Sequence, residues 1–214
     1  ISECLVGSEM CIRDRCNMNC KFCYSKETRE KSKDITIDDW KKFVDENYEQ
    51  IDSINYGTGE NAILDDFFYF IEYVRDNYPQ ITQSVTTNGY ISKRILENPK
   101  FMDIFMKSMD EIDVSLDFVD KEKHGDFRGQ PKAYDWAIQT LKLLKVTDKK
   151  VTIVFVGFED TMKKENIDDL FSIAKEYNTL LRLNIYRPVS EKEEINERFK
   201  LSYKTLNDSL KYIN

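Results

Sequence analysis

The stretch Cys16-Asn17-Met18-Asn19-Cys20-Lys21-Phe22-Cys23-Tyr24 sets three cysteines within eight residues, at C-x3-C-x2-C spacing. Thiolates are the usual ligands of iron–sulfur clusters. A cubane cluster has four irons, so three cysteines leave one iron without a protein ligand. An open coordination position is what distinguishes a reactive metal site from a purely structural one. Two other readings of the same residues stand beside this one. Three thiols can ligate zinc with a fourth ligand from elsewhere, and the only histidine, His124, would have to fold back to supply it. The thiols can also simply be buried.

Upstream lie the other two cysteines, Cys4 and Cys11. The ten residues Leu5 to Asp14 resemble a translated transposase-adapter sequence from DNA library preparation, so residues 1–15 are read as a non-native segment and excluded from fold reasoning. The remaining cysteines then all belong to one loop. No disulfide framework is expected, which fits a reducing, cytoplasmic compartment. The 214 residues suit one domain, and 41% are apolar, enough for a substantial core. The net charge of −7 gives no basic footprint for nucleic acid. No apolar run approaches the length needed to span a membrane.

Downstream, strands and helices alternate. Thr36 is placed to cap a helix carrying Ile37, Trp40, Val44 and Tyr48 on one face, with Asp38 and Asp39 in its first turn. Ser53 to Tyr56 reads as a strand, followed by Gly57-Thr58-Gly59-Glu60. Leu64, Phe67, Phe68, Ile71, Val74 and Tyr78 form one apolar helix face, stopped by Pro79. Ile81 to Thr87 is a strand closed by Asn88-Gly89. Ile91 to Leu96 and Phe101 to Met106 are helical. In Glu111 to Phe118, Ile112, Val114 and Leu116 alternate with Asp113, Ser115 and Asp117, as a strand requires. Asp120 to Gln130 reads as a loop, and Pro131 opens the next helix. Val151 to Val156 is the continuous apolar run of a buried parallel strand. A helix through Ile167, Leu170 and Ala174 precedes a last strand, Leu180 to Tyr186. Glu191 to Arg198 reads as a solvated charge run, and Leu201 to Ile213 as a final helix. Five strands separated by crossover helices predict an α/β fold with a parallel sheet.

The cysteine stretch, with aromatic Tyr24 directly after the third cysteine, resembles the cluster loop of the radical S-adenosylmethionine (SAM) enzymes. The resemblance covers essentially residues 16–188. It implies a [4Fe–4S] cluster held by Cys16, Cys20 and Cys23, with SAM on the fourth iron. It also implies a partial (β/α)6 TIM-like barrel whose first strand is missing here or non-native. On this reading residues 16–190 are the core domain, and 191–214 a helical extension of a truncated chain. Barrels of this kind form their sites at the C-terminal ends of the strands, where further resemblances fall. Thr58-Gly59-Glu60 is similar to the family's Gly-Gly-Glu motif at the SAM amino group, although Thr58 stands for the first glycine and Asn61 for the usual proline. A plain tight turn is the alternative there. Thr87-Asn88-Gly89 resembles the turn near the SAM carboxylate. Ser115-Leu116-Asp117 resembles the segment that reaches the SAM ribose or carboxylate; partners within the barrel would equally account for its polar residues. His124 to Gly129 resembles a loop of maturase-like members in which Arg128 pairs with the SAM carboxylate and His124 structures the loop. Tyr24 belongs to the same cofactor-binding set, and Gly157 and Asn184 to Arg187 border adenine and substrate.

The chemistry implied is reductive cleavage of SAM by one electron, from a donor of flavodoxin or ferredoxin type, followed by hydrogen abstraction from substrate. A peptide or protein substrate is the first expectation. A small molecule or a glycyl-radical enzyme is the second. A non-catalytic zinc or iron–sulfur module is the alternative of another class.

Overall fold

The computed structural model describes residues 15–23, 25, 35–187 and 193–213. Five parallel strands form one open sheet in sequence order: β1 (Ser53–Tyr56), β2 (Thr82–Thr87), β3 (Glu111–Ser115), β4 (Lys150–Gly157) and β5 (Leu180–Ile185). Register runs without a bulge from Ser53↔Thr82 at one edge to Gly157↔Ile185 at the other. This is the α/β parallel architecture that the alternation predicts. The expected first strand falls in residues 1–14, outside the described residues.

Helices connect the strands: α1 (Ile37–Asn47), α2 (Asp65–Asn77), α3 (Tyr90–Glu97), α4 (Pro99–Ser108), α5 (Lys121–Arg128), α6 (Ala133–Leu144), α7 (Lys164–Tyr177), α8 (Glu193–Phe199) and α9 (Tyr203–Ile213). Thr36 caps α1 in a full capping box with Asp39, so two backbone donors are satisfied reciprocally. Alternation decides which side of the sheet the helices cover. Ile54, Tyr56, Val85, Ile112, Val114, Ile153 and Phe155 turn to one face and are buried with Phe67, Phe68, Phe70 and Ile71 of α2. Each such side chain contributes about 1.5–3 kcal/mol when taken fully from water. Two polar side chains on this side are tied together: Tyr56 Oη donates to Gln83 Oε1 at 2.7 Å, and Gln83 Nε2 donates to the Ile71 carbonyl at 3.1 Å. The opposite face carries Asn55, Ser84, Thr86, Asp113, Ser115, Thr152 and Arg182.

One segment departs from the sequence reading. Asp120 to Gln130 is not a loop: Asp120 accepts from the Lys123 N–H as N-cap, α5 follows, and Gly129 ends it at φ 62°. The described part of the charge run, residues 193–199, is helix α8, with Glu193, Glu194, Glu197 and Arg198 exposed and Phe199 buried. Two boundaries also move. Strand β3 ends at Ser115, leaving Asp117 just beyond it, and α6 begins at Ala133 rather than at Pro131.

Candidate functional site

A small open cleft, about 110 Å³ in volume, lies at the C-terminal ends of β1 to β3, lined by Cys16, Met18, Cys20, Cys23, Ser25, Gly57, Thr58, Gly59, Thr86, Thr87, Asn88 and Ser115. All three cysteines are thiols, not disulfides, and all three reach this one space. Burial pushes the Cys20 thiol up to about 11, against the pull of Arg128, with Cys23 and Cys16 adding to the rise. A thiolate there therefore needs a strong positive partner, which a bound metal supplies.

The cysteine loop is anchored at its start by the Glu60 N–H, which donates to the Arg15 carbonyl at 2.8 Å. Inside the loop the Cys23 N–H reaches the Cys20 carbonyl at 3.3 Å. Asn88 Nδ2 donates to Asn17 Oδ1 at 2.9 Å and lies 3.7 Å from Cys16 Sγ. Asn88 is itself fixed because its Oδ1 accepts from the Tyr90 N–H as α3 starts.

The Glu60 side chain does not face the cleft. It is buried and accepts from Thr87 Oγ1 at 2.9 and 3.0 Å and from the Asn88 N–H at 2.7 Å. It ties the end of β1 to the end of β2. Burial pushes its carboxyl up to about 7, although Asn88, Thr87 and the Ala62 N–H favour the ionised form. Thr58 and Gly59 do line the cleft, and Gly59 sits at φ 73°. At that angle an L side chain is strained, so glycine keeps the backbone open to a ligand. Two buried polar atoms nearby, Asn61 Oδ1 and Asn17 Nδ2, have no hydrogen-bond partner among the described residues.

Ser115 lines the cleft, while Asp117 and Arg128 form a buried pair behind the loop. Arg128 Nε and Nη2 both lie 2.6 Å from Asp117 Oδ2, and Asp117 Oδ1 accepts from the Val156 N–H at 2.8 Å. Burial pushes the Asp117 carboxyl up, opposed by Arg128 and Val156. The guanidinium lies 5.1 Å over the Phe22 ring and is near enough to Cys20 for its charge to pull the thiol's pKa down. His124 Nδ1 accepts from the Asp117 N–H at 3.2 Å, and burial keeps the ring neutral. The histidine thus braces backbone. Among the described residues no three His, Cys, Asp or Glu side chains, the three thiols included, are grouped closely enough to hold a single ion, and His124 Nδ1 is engaged with the Asp117 backbone rather than with a thiol. Tyr24 lies outside the described residues. Gly157 sits under the Leu183 side chain, and Asn184 lies on β5, neither in the cleft lining.

An aromatic group missed by sequence reasoning backs the loop. Phe22 stacks on Phe127 at 4.4 Å and meets Phe199 edge-on at 6.2 Å; Phe127 stacks on Phe158 at 5.0 Å. Phe118 and Tyr186 complete the cluster. The alternation rules are blind to it, because its members follow strand ends or sit in short polar helices.

A sequence model of the Radical SAM superfamily matches residues 10–203. Mycofactocin maturase MftC of Mycolicibacterium smegmatis is 24% identical over 178 residues, which are 81% of this chain and 42% of that protein. The antilisterial bacteriocin subtilosin biosynthesis protein AlbA of Bacillus subtilis is 25% identical over 173 residues, 78% of this chain and 38% of that protein. The chain therefore spans about two fifths of the length of these relatives. The crystal structure of Streptococcus suis SuiB bound to precursor peptide SuiA superposes with a TM-score of 0.77 at 19% identity, covering 95% of this chain and 44% of SuiB.

Proposed function

The chain belongs to the radical SAM superfamily, and on that premise we propose that it is the core of an enzyme that cleaves SAM reductively and abstracts a hydrogen atom from a peptide or protein. The observation that carries the reading is the convergence of Cys16, Cys20 and Cys23 with the ends of β1, β2 and β3 on one cleft. Three thiols suit a cubane cluster with one iron open to SAM. When bound and reduced, that group supplies the electron that breaks the bond from SAM sulfur to its 5′ carbon, giving methionine and a 5′-deoxyadenosyl radical that takes the hydrogen atom.

The chain's own residues bind and orient. Gly57, Thr58 and Gly59 offer a bank with little side-chain bulk, where backbone carbonyls can meet the SAM ammonium. Asn88 holds the loop at Asn17 while its neighbour Thr87, fixed by Glu60, borders the cleft. Ser115 offers a hydroxyl to the ribose or carboxylate. Met18 and the ring of Phe22 keep water from the loop, as reactive intermediates require. Tyr24 and the proposed one-electron donor of flavodoxin or ferredoxin type complete the assignment. A peptide substrate is favoured because the similar proteins include a maturase, a bacteriocin biosynthesis protein and SuiB with its precursor peptide. The chain also has no helix among the described residues long and apolar enough to cross a membrane.

Anaerobic reconstitution with iron and sulfide, followed by EPR of the reduced protein with and without SAM, tests the reading. The expected result is a [4Fe–4S] signal that changes on SAM addition and is lost in Cys20→Ala. Retained SAM cleavage in Cys20→Ala, or zinc held in place of iron by the wild type, overturns it.

A further inference from the structure

Three consecutive residues at the end of α5 each touch the cysteine loop. Phe127 stacks on Phe22 at 4.4 Å. Arg128 covers the Phe22 ring at 5.1 Å, which sets its charge within electrostatic reach of Cys20. Gly129, at φ 62°, comes so close to the loop backbone that a Cβ there would lie 2.5 Å from the Asn19 carbonyl oxygen. Behind them Asp117 takes both Nε and Nη2 of Arg128 on one oxygen, and that carboxylate is pinned by the Val156 N–H at the end of β4.

A guanidinium paired this way is poorly placed to be a mobile ligand for a cofactor carboxylate. Two of its nitrogens are committed to Asp117, and its face lies over Phe22 in the cysteine loop. Its side chain is 10% exposed, so its charge acts through little water. Hydrogen bonds and charges at cluster sulfurs are the means by which proteins set cluster potentials.

We propose that Phe127-Arg128-Gly129 is a clamp on the back of the cysteine loop, and that Arg128, braced by Asp117, is a positioning residue that holds the loop and raises the reduction potential of the cluster the loop would carry. The inference rests on the reading of the site as a cluster site. The sign follows from charge: reduction adds an electron, and a fixed cation beside a ligand sulfur favours the reduced state. Asp117 opposes it from behind. The two residues therefore have opposite electrostatic effects although they are structurally one unit.

The experiment is an EPR-monitored redox titration of the reconstituted full chain without substrate, for wild type, Arg128→Gln, Arg128→Lys and Asp117→Asn, with iron content and SAM affinity measured in parallel. The expected result is a more negative potential in Arg128→Gln, partial recovery in Arg128→Lys and a more positive potential in Asp117→Asn. SAM affinity should stay within a few-fold of wild type in Arg128→Lys. If Arg128→Gln does not retain iron, the opposed shifts of Arg128→Lys and Asp117→Asn carry the test, because a merely structural role moves both in the same direction or neither. Unchanged potentials at full iron content overturn the proposal. So does a loss of SAM affinity in Arg128→Gln and Arg128→Lys with the potential unmoved, which returns Arg128 to the SAM carboxylate. A wild type without any cluster signal sinks the underlying reading instead, so the two failures are distinguishable.

Discussion

The cysteine loop lies between two banks of different construction. On the α5 side protein packs on the loop: stacked rings, a buried ion pair with every oxygen of Asp117 engaged, and a glycine pressed against loop backbone. On the side of the β1 and β2 ends the surface is small and open, with Gly57, Thr58 and Gly59 on the cleft and Asn61 Oδ1 unpartnered among the described residues. The first bank holds protein and the second is shaped to hold something else. Substitutions on the two banks should therefore fail in different ways, the first through stability and iron retention, the second through SAM affinity.

The largest separation is expected between Phe127→Ala and Thr58→Val. Phe127 meets Phe22, Phe118, Phe158 and Phe199, and removing such a ring costs about 3–5 kcal/mol. Urea unfolding should show that loss, with iron released from the reconstituted protein. A Phe127→Ala protein as stable as wild type would erase the distinction between the banks.

Glu60 belongs to the frame beneath the open bank, and its signature is a pH dependence. Burial raises its carboxyl from 4.5 to about 7 in the folded chain. Between these values the folded state keeps a proton that the unfolded state has released. Stability from this group is thus full below pH 4.5 and declines as pH rises toward 7, by roughly 3 kcal/mol at 1.36 kcal/mol per unit. Glu60→Gln, which cannot titrate, should lack this decline when urea midpoints at pH 5 and pH 7.5 are compared. Parallel slopes in the two proteins would show that Glu60 is ionised throughout.

A smaller effect sharpens the contrast with two glycines of similar backbone angle. Gly129→Ala and Gly59→Ala each place an L residue in the left-handed region, a strain of about 1–2 kcal/mol. At Gly129 the new carbon also meets loop backbone, 2.5 Å from the Asn19 carbonyl oxygen. Gly129→Ala should lose iron faster than Gly59→Ala, as followed by chelator challenge, whereas Gly59→Ala should show the greater fall in SAM affinity. The smallest change is expected for Thr58→Val: stability within about 0.5 kcal/mol and SAM binding weakened a few-fold by equilibrium titration.

The frame of the molecule was legible because it depends on patterns of period two and three to four. Ser53 to Tyr56 was bounded correctly, and the alternation in Glu111 to Ser115 placed Ser115 on the cleft side. The α5 segment was illegible as a helix because Lys121-Glu122-Lys123-His124-Gly125-Asp126 has no apolar stripe and an internal glycine. Its end signals, Asp120 as cap and Gly129 as terminator, were present in the sequence. Type and spacing marked Thr58, Thr87 and Ser115, which line one cleft, but the direction of a side chain is a tertiary fact. Glu60 turns inward to Thr87, and Arg128 turns to Asp117, because burial rewards pairing over exposure. Phe199 was invisible as a site residue: it reaches the loop from the far end of the chain.

That long reach bears on how readily the loop opens. Between described residues, the loop is gripped in part from far along the sequence, by positions 88, 127–129 and 199. Contacts so distant in sequence close long loops and carry the entropy cost of doing so. On that ground the thiol loop is expected to open to solvent more readily than the sheet and its helical cover, as a unit of lower stability on one of higher. Amide hydrogen exchange checks this: residues 16–23 should exchange ahead of the strands, and equal protection would show that loop and sheet open together.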